Sequence, residues 1–337
     1  MRPESEKYMD TKTLFESFKN VHVLVVGDVI IDSYLWGDVS RISPEAPVQI
    51  IKALKREHRL GGAANVALNV QALGATPLLC SVAGDDGHRK VFEKLMKKRG
   101  LITDGIVFSS QRDTSVKTRI ISQNQHLLRI DDETDQPLTK DVTELLIKRI
   151  KKLLSEYKID AIIFEDYDKG VITPGLIGET VKFAKERGIP TLVDPKKRNF
   201  NNYNGVTFFK PNFKEFLTGL NLDLKASDKE KLVKVAGEFR MEHDIRVLMI
   251  TLAEKGVFVS DDNGHLFIPA EVRNISDVSG AGDTVISVSA LCLAFGLRSE
   301  AVARIANMAG GLVCEIPGVV PVSKELLLQE CLDKKVL

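Results

Sequence analysis

Short apolar runs that end in a glycine or aspartate turn and lead into a helical stretch recur along most of this chain, and that alternation limits the folds open to it. Residues 21–26 form one such run and enter Gly27-Asp28; residues 76–82 enter Gly84-Asp85-Asp86-Gly87 and then an amphipathic stretch at 88–99. Residues 161–164, 191–193, 206–209 and 247–251 read as further strands, and 142–157 and 173–187 as helices. Unbroken apolar runs mark strands buried on both faces. Strand, turn and helix in repetition is the sequence form of a parallel sheet built from βαβ units. In such sheets ligands bind beyond the carboxyl ends of the strands. Gly27-Asp28, Glu165-Asp166-Tyr167 and Asp194-Pro195-Lys196-Lys197 are therefore expected to face one crevice.

The bulk numbers narrow the function. The 337 residues are 44% hydrophobic and 28% charged, an ordinary globular balance that suffices for one large α/β domain with a small appendage. Forty-seven basic against 46 acidic residues leave a net charge of +1, so no global field attracts nucleic acid or a membrane surface. An anionic ligand must be held by local groups. No apolar run reaches the roughly 18 residues of a membrane span and residues 1–20 lack an apolar core, so a cytoplasmic location is expected. Cys80, Cys292, Cys314 and Cys331 lie far apart without metal-ligand spacing, which points to buried free thiols and no zinc site.

The stretch that carries chemistry is Asp277-Val278-Ser279-Gly280-Ala281-Gly282-Asp283-Thr284, followed by the apolar run 285–297. Gly280, Ala281 and Gly282 are expected to form the first turn of a buried helix, whose unpaired N–H groups and dipole make an anion hole. Asp283 would sit beside the anion, stay ionised through the helix end and its N–H bonds, and accept a proton from an attacking hydroxyl. Helix capping and close packing explain the same residues without chemistry.

Other candidates stand in the same double light. Asp28 and Asp32 suit sugar hydroxyls, or are a turn aspartate and a surface aspartate. Gly61-Gly62 before a small-residue helix lets a ligand approach the backbone and Asn65 offers an amide, although close helix packing asks for the same residues. Asn212 and Glu215 have the spacing of a capping box, and equally of a phosphate and water-coordinated Mg²⁺ site. Residues 30–54, strand-like and broken by Pro44 and Pro47, are expected to form a small projecting β-sheet. Residues 116–122 and 126–131 are two strand-like runs turning at Gln123-Asn124-Gln125 and carrying Lys117, Arg119 and Arg129. Hairpin strands are read at 257–260 and 265–268, a last helix at 301–314, and a loop at 317–323.

Gly61-Gly62-Ala63-Ala64-Asn65, Pro211-Asn212-Phe213-Lys214-Glu215 and Asp277 to Asp283 together resemble the ribokinase-like (PfkB) carbohydrate kinases over about residues 15–330. Within that family, Gly27-Asp28-Val29-Ile30-Ile31-Asp32, Ser40-Arg41-Ile42-Ser43-Pro44-Glu45-Ala46-Pro47-Val48, and Asn124-Gln125 with Arg129 look like the D-glycero-D-manno-heptose-7-phosphate kinases of lipopolysaccharide-core precursor synthesis. The resemblance implies a three-layer α/β fold with a mainly parallel central sheet. It also implies an extension at 1–20, a kinase domain at 21–330, a β-sheet lid from about 32–56 and 114–131, and a tail at 331–337.

By the same resemblance Asp283 is the catalytic base, and the backbone of Gly280, Ala281 and Gly282 stabilises the transferring phosphoryl group. Asp28, Asp32, Gly61, Gly62 and Asn65 hold sugar hydroxyls, and Arg119, Arg129 and Lys196 hold the sugar phosphate. Asn212, Thr251, Gly256 and Asn307 serve ATP, and Glu215 serves Mg²⁺ through water. A monovalent cation near the loop after Cys314 is allowed, homodimerisation through the lids is expected, and a separate nucleotidyltransferase is expected for a later step. The rivals are the same chemistry on another sugar, such as fructose 6-phosphate or ribose, and a non-catalytic sugar or nucleotide sensor. A dinucleotide-dependent dehydrogenase is disfavoured because the first strand's turn lacks G-x-G-x-x-G.

Overall fold

The computed structural model describes residues 9–123, 125–271 and 273–337. The expected turn residue Asn124 and residues 1–8 of the expected extension lie outside the described residues. Chain order begins with α1 (Thr11–Ser17), β1 (His22–Gly27), β2 (Val29–Ile42), β3 (Gln49–Gly62), α2 (Ala63–Ala72), β4 (Thr76–Gly84) and α3 (Arg89–Lys98). It continues through β5 (Ile106–Ser109), β6 (Ser115–Ser122), β7 (Gln125–Asp132), α4 (Lys140–Glu156), β8 (Ala161–Glu165), α5 (Pro174–Glu186), β9 (Thr191–Asp194) and β10 (Phe208–Phe209). The rest is α6 (Phe213–Leu220), α7 (Lys229–Glu242), β11 (Val247–Thr251), β12 (Val257–Asp261), β13 (Gly264–Ile268), α8 (Ala281–Ala294), α9 (Ser299–Cys314) and α10 (Lys324–Asp333).

The main sheet runs β13-β12-β11-β10-β9-β8-β1-β4-β5, parallel from β11 to β5, with the hairpin β12–β13 adding an antiparallel edge. Its central strands are apolar without interruption because both faces are covered. Val23 and Val25 of β1 enter one core with α1, α2, α8, α9 and α10, while Leu24 and Val26 enter the other with α4, α5 and α7. This is the three-layer α/β arrangement expected from the strand and turn pattern.

The second sheet, β3-β2-β6-β7, is the expected lid, somewhat longer than expected because β2 and β3 run fourteen residues each. The inner third of β2 is buried and its far end exposed, so the sheet stands away from the body. Both of its roots lie at strand ends. β2 follows Asp28 directly at the end of β1, and β3 ends in Gly61-Gly62 at the start of α2.

The chain ends are less peripheral than expected. Leu14, Phe15 and Phe18 in the first twenty residues are core residues, and α10 carries Leu327 and Cys331 into the same core, so the packed helix runs to Asp333, three residues into the tail expected at 331–337. An amphipathic segment whose buried face is only two or three residues gives a weak periodic signal. β10 is shorter than the expected run at 206–209, since only Phe208 and Phe209 pair with both neighbours. All four cysteines are buried and free.

Candidate active site

The carboxyl ends of β1, β8, β9, β10 and β11 meet the N-termini of α2 and α8. Gly280 caps α8 with φ +82°, a left-handed conformation that glycine adopts without strain, and Asp283 falls in the first turn. Asp283 is 6% exposed. Its hydrogen bonds differ from the expected backbone ones: Asn65 Nδ2 donates to Oδ2 at 2.5 Å and the Tyr167 hydroxyl donates to Oδ1 at 3.0 Å. Burial pushes the carboxyl up to about 6, the Asn65 bond opposes that, and the charge of Asp194 adds to it. The group remains mostly ionised at neutral pH yet is a far better proton acceptor than an exposed aspartate.

Oxygens of Glu165, Asp194 and Asp283 lie within 4.8 Å of one another. Lys210 compensates this concentration of charge. It is 2% exposed and its Nζ lies 2.8 Å from Asp194 Oδ2. Burial alone would pull the ammonium down, but Asp194 outweighs that and holds it above the ordinary lysine range. Glu165 Oε2 is buried without a partner, and burial, reinforced by Asp194 and Asp283, raises its carboxyl well above the usual range. Asp194 is thus paired, Asp283 is hydrogen-bonded, and Glu165 favours its protonated form. A Cβ on Gly282 would lie 3.4 Å from Asp194 Oδ2 and 3.6 Å from Lys210 Nζ, so the bare glycine leaves open space over this ion pair at the helix start.

Sequence reasoning placed Glu165 and Asp194 at the crevice without a role and passed over Lys210 and Tyr167 as partners. The ion pair is visible only once β9 and β10 are adjacent. An apolar strand running straight into a lysine was the one available signal.

Several expected sugar ligands have other partners. Asp28 is spent on the backbone: Oδ2 accepts from Tyr167 N and Lys169 N, and Oδ1 from Val171 N. Three such bonds leave this buried carboxylate one oxygen, Oδ1, with a single donor. Asn65 turns its amide to Asp283. Asp32 pairs with Arg119 at 2.5 Å on the lid root, and a Cβ on Gly61 would meet Asp32 Oδ2 at 2.2 Å, so the glycine makes room for this carboxylate. Gly62, φ +60°, lets the chain turn against the Asp28 carbonyl.

The expected phosphate cations separate. Arg119 lies at the lid root over Tyr34, its guanidinium carbon 5.4 Å from the ring centroid. Arg129 is opposite it on β7, but is 59% exposed and pairs with Asp131. Lys196 is bound to Glu215 at the start of α6 and lies 3.8 Å from Asp194 Oδ1, so it is held by acids of its own. Single-residue charge says nothing about which acid a long side chain will reach.

Asn212 and Glu215 form both bonds of a capping box at the start of α6. Glu215 Oε2 accepts from Asn212 N and Oε1 takes Lys196, so both carboxylate oxygens already have protein partners. Thr251 bridges to Asn212 at the end of β11. Gly256, φ +88°, packs its bare α-carbon on the Ile268 carbonyl and Ala270, and Asn307 Nδ2 donates to the Pro269 carbonyl at 2.9 Å. These two expected nucleotide residues thus meet at one segment, 268–270.

Residues 20–325 match the pfkB family carbohydrate kinase profile. The chain is 39% identical over 308 residues to the bifunctional protein HldE of Pelobacter propionicus, covering 90% of this chain and 62% of that protein. Against the bifunctional protein HldE of Campylobacter jejuni it is 39% identical over 313 residues, covering 92% and 64%. It therefore spans about three-fifths of the length of these relatives. Among solved structures, phosphofructokinase-2 from Escherichia coli in complex with potassium superposes with TM-score 0.74 at 17% identity, covering 92% of this chain and 97% of that one. Ribokinase from Arabidopsis thaliana complexed with ribose and ATP superposes with TM-score 0.68 at 18% identity, covering 92% and 99%. Identity that low speaks for the fold alone, and the fold is ribokinase-like. With the profile spanning nearly all of the sequence and the glycine turn, buried aspartate and lid in place, the chain belongs to the pfkB family of carbohydrate kinases.

Proposed function

We propose that the chain is an ATP-dependent, Mg²⁺-requiring kinase that phosphorylates the C1 hydroxyl of D-glycero-D-manno-heptose 7-phosphate, giving the 1,7-bisphosphate in lipopolysaccharide-core precursor synthesis. The observation that carries the chemistry is Asp283, buried in the first turn of α8 beside the bare α-carbon of Gly282. The choice of sugar is supported by the identity to HldE proteins and by the Ser40 to Val48 run.

In this reading Asp283 takes the proton from the C1 hydroxyl as its oxygen attacks the γ-phosphorus of ATP and the bond to ADP breaks. Backbone N–H groups of Gly280 and Gly282 receive the charge that spreads over the transferring oxygens, while that of Ala281, which donates to the Val278 carbonyl at 3.3 Å, must turn from it to join them. Bound Mg²⁺ would neutralise charge on the phosphates. Glu215 holds it through water, while Asn212, Thr251, Gly256 and Asn307 border the nucleotide. Asp32, Gly61 and Gly62 line the sugar side, and Arg119 at the lid root is the cation best placed for the sugar phosphate.

Closing of the lid excludes water, whose attack would waste ATP. The lid also exposes Ile42, Leu54, Leu128 and Ile130, an apolar surface that supports pairing of two copies through their lids. Among the described residues no helix is long and apolar enough to cross a membrane. A nucleotidyltransferase acting on the product remains part of the proposal.

Replacing Asp283 by Asn tests the central role. Turnover is expected to fall by at least about a hundredfold, the lower bound typical of a lost general base, with ATP affinity retained. Turnover near the wild-type rate would remove Asp283 from the mechanism.

A further inference from the structure

We propose that Tyr167 is a positioning residue which fixes the proton-accepting carboxylate of Asp283, and that Asp28 acts through it by clamping the turn that carries it. The proposal rests on Asp283 being the base. Among the described residues Asp283 has two side-chain donors, one on each oxygen, and Tyr167 supplies the one on Oδ1. With Asn65 on the other oxygen, the plane of the carboxylate is set and its free lone pairs point in one direction.

Within the turn after β8, Asp168 N donates to Asp166 Oδ1 at 2.8 Å, and Tyr167 N, Lys169 N and Val171 N are held from the end of another strand. Asp168 adopts φ +58° and Gly170 φ +86°, left-handed backbone that turns alternate N–H groups to one side. Asp28, 1% exposed, collects them: Tyr167 N at 2.8 Å, Lys169 N at 3.2 Å and Val171 N at 2.9 Å. Asp28 N in turn donates to the Glu165 carbonyl at 3.2 Å. A buried carboxylate devoted to one turn is a costly way to hold a loop that does nothing else. The tyrosine hydroxyl at the far end of that loop gives it a purpose.

The phenol is also the right donor chemically. The charged and titratable groups facing Asp283 are Glu165 from β8, Asp194 from β9, and Lys210 after β10, with Lys196 beyond Asp194. A neutral donor stabilises the carboxylate without forming a permanent ion pair that would quench it as a base. Burial and the neighbouring acids hold the Tyr167 phenol well above its ordinary range, so it stays a donor at every working pH.

Tyr167→Phe removes one oxygen and leaves the ring. The experiment is a ¹³C-carboxyl NMR titration of aspartate-labelled protein, with the Asp283 signal assigned by its loss in Asp283→Asn. A hydrogen bond to a charged group is strong enough to move the Asp283 midpoint, about 6 in the wild type, upward by about one pH unit. Asp28→Asn should move it the same way, and the Tyr167→Phe/Asp28→Asn double variant no further than Tyr167→Phe alone. In steady-state kinetics the acid limb of kcat/KM should follow the same shift, with kcat lowered and both KM values within about twofold, as expected for an effect confined to the base. A folded Tyr167→Phe protein with an unmoved Asp283 titration overturns the role of Tyr167, and an additional shift in the double variant overturns the route from Asp28. A shifted titration in a protein that turns over no sugar would leave the positioning intact and defeat the kinase reading instead.

Discussion

Replacing Lys210 by Met tests how the crevice tolerates so many acids. The lysine is 2% exposed, its Nζ is 2.8 Å from Asp194 Oδ2, and Asp194 lies within 4.8 Å of oxygens on Glu165 and Asp283. Methionine keeps the length and apolar volume of the stem, so the change is one of charge. Removing one partner of a buried ion pair costs about 3–5 kcal/mol, because the remaining charge is left uncompensated. Lys196, 3.8 Å from Asp194 Oδ1, persists as a second cation and sets the expectation at the lower end, about 3 kcal/mol. At about 2.1 cal/mol/K of unfolding entropy per residue over 337 residues, that loss lowers the melting midpoint by about 4 °C. Thermal unfolding followed by circular dichroism near neutral pH reads the shift. Adding Asp194→Asn should restore more than half of it, since the uncompensated Asp194 charge is then gone. A single variant that melts with the wild type, or a double variant no better than the single, would refute the reasoning.

Three further outcomes follow from the same geometry. Gly282→Ala meets only ordinary contacts at 3.4 and 3.6 Å, so its melting point should hold or rise by the equivalent of up to about 1 kcal/mol of helix propensity; its turnover should fall at least about tenfold as the methyl covers the helix start. With Asp283 near 6, kcat/KM should be level above about pH 7 and drop about tenfold per pH unit well below the midpoint, read from a pH–rate profile. The same raised carboxyl costs stability once ionised: its contribution is intact below the unfolded value near 3.8 and lost as pH rises through about 6. Asp283→Asn should therefore be more stable than wild type at alkaline pH and lose that advantage by about pH 4, in denaturant titrations at the two pH values.

Local signals carried the architecture well. Unbroken apolar runs gave the strands of the main sheet, the prolines and aromatics of residues 30–54 gave the lid, and the glycine-aspartate turn located the start of α8. The crevice was legible for the same reason, since strand ends in a parallel sheet share a side. What escaped was pairing across the fold. Tyr167 reaches Asp283 over 116 positions and Asp28 reaches Tyr167 over 139, and neither separation leaves a periodic trace in the sequence. Charge groups Lys196 and Arg129 as phosphate ligands, yet Glu215 and Asp131 each take one of these cations. The capping box at Asn212 and Glu215 shows the reverse: a local structural motif and a ligand role are compatible, because the bonds that start α6 also aim Glu215.

The most direct test of the account is ADP release by the purified protein with ATP and Mg²⁺ on D-glycero-D-manno-heptose 7-phosphate, sedoheptulose 7-phosphate, fructose 6-phosphate, ribose and no sugar. Strong turnover confined to the heptose 7-phosphate is the predicted result. Preference for another sugar would contradict the substrate assignment, and ATP binding without turnover on any of them would contradict the kinase itself.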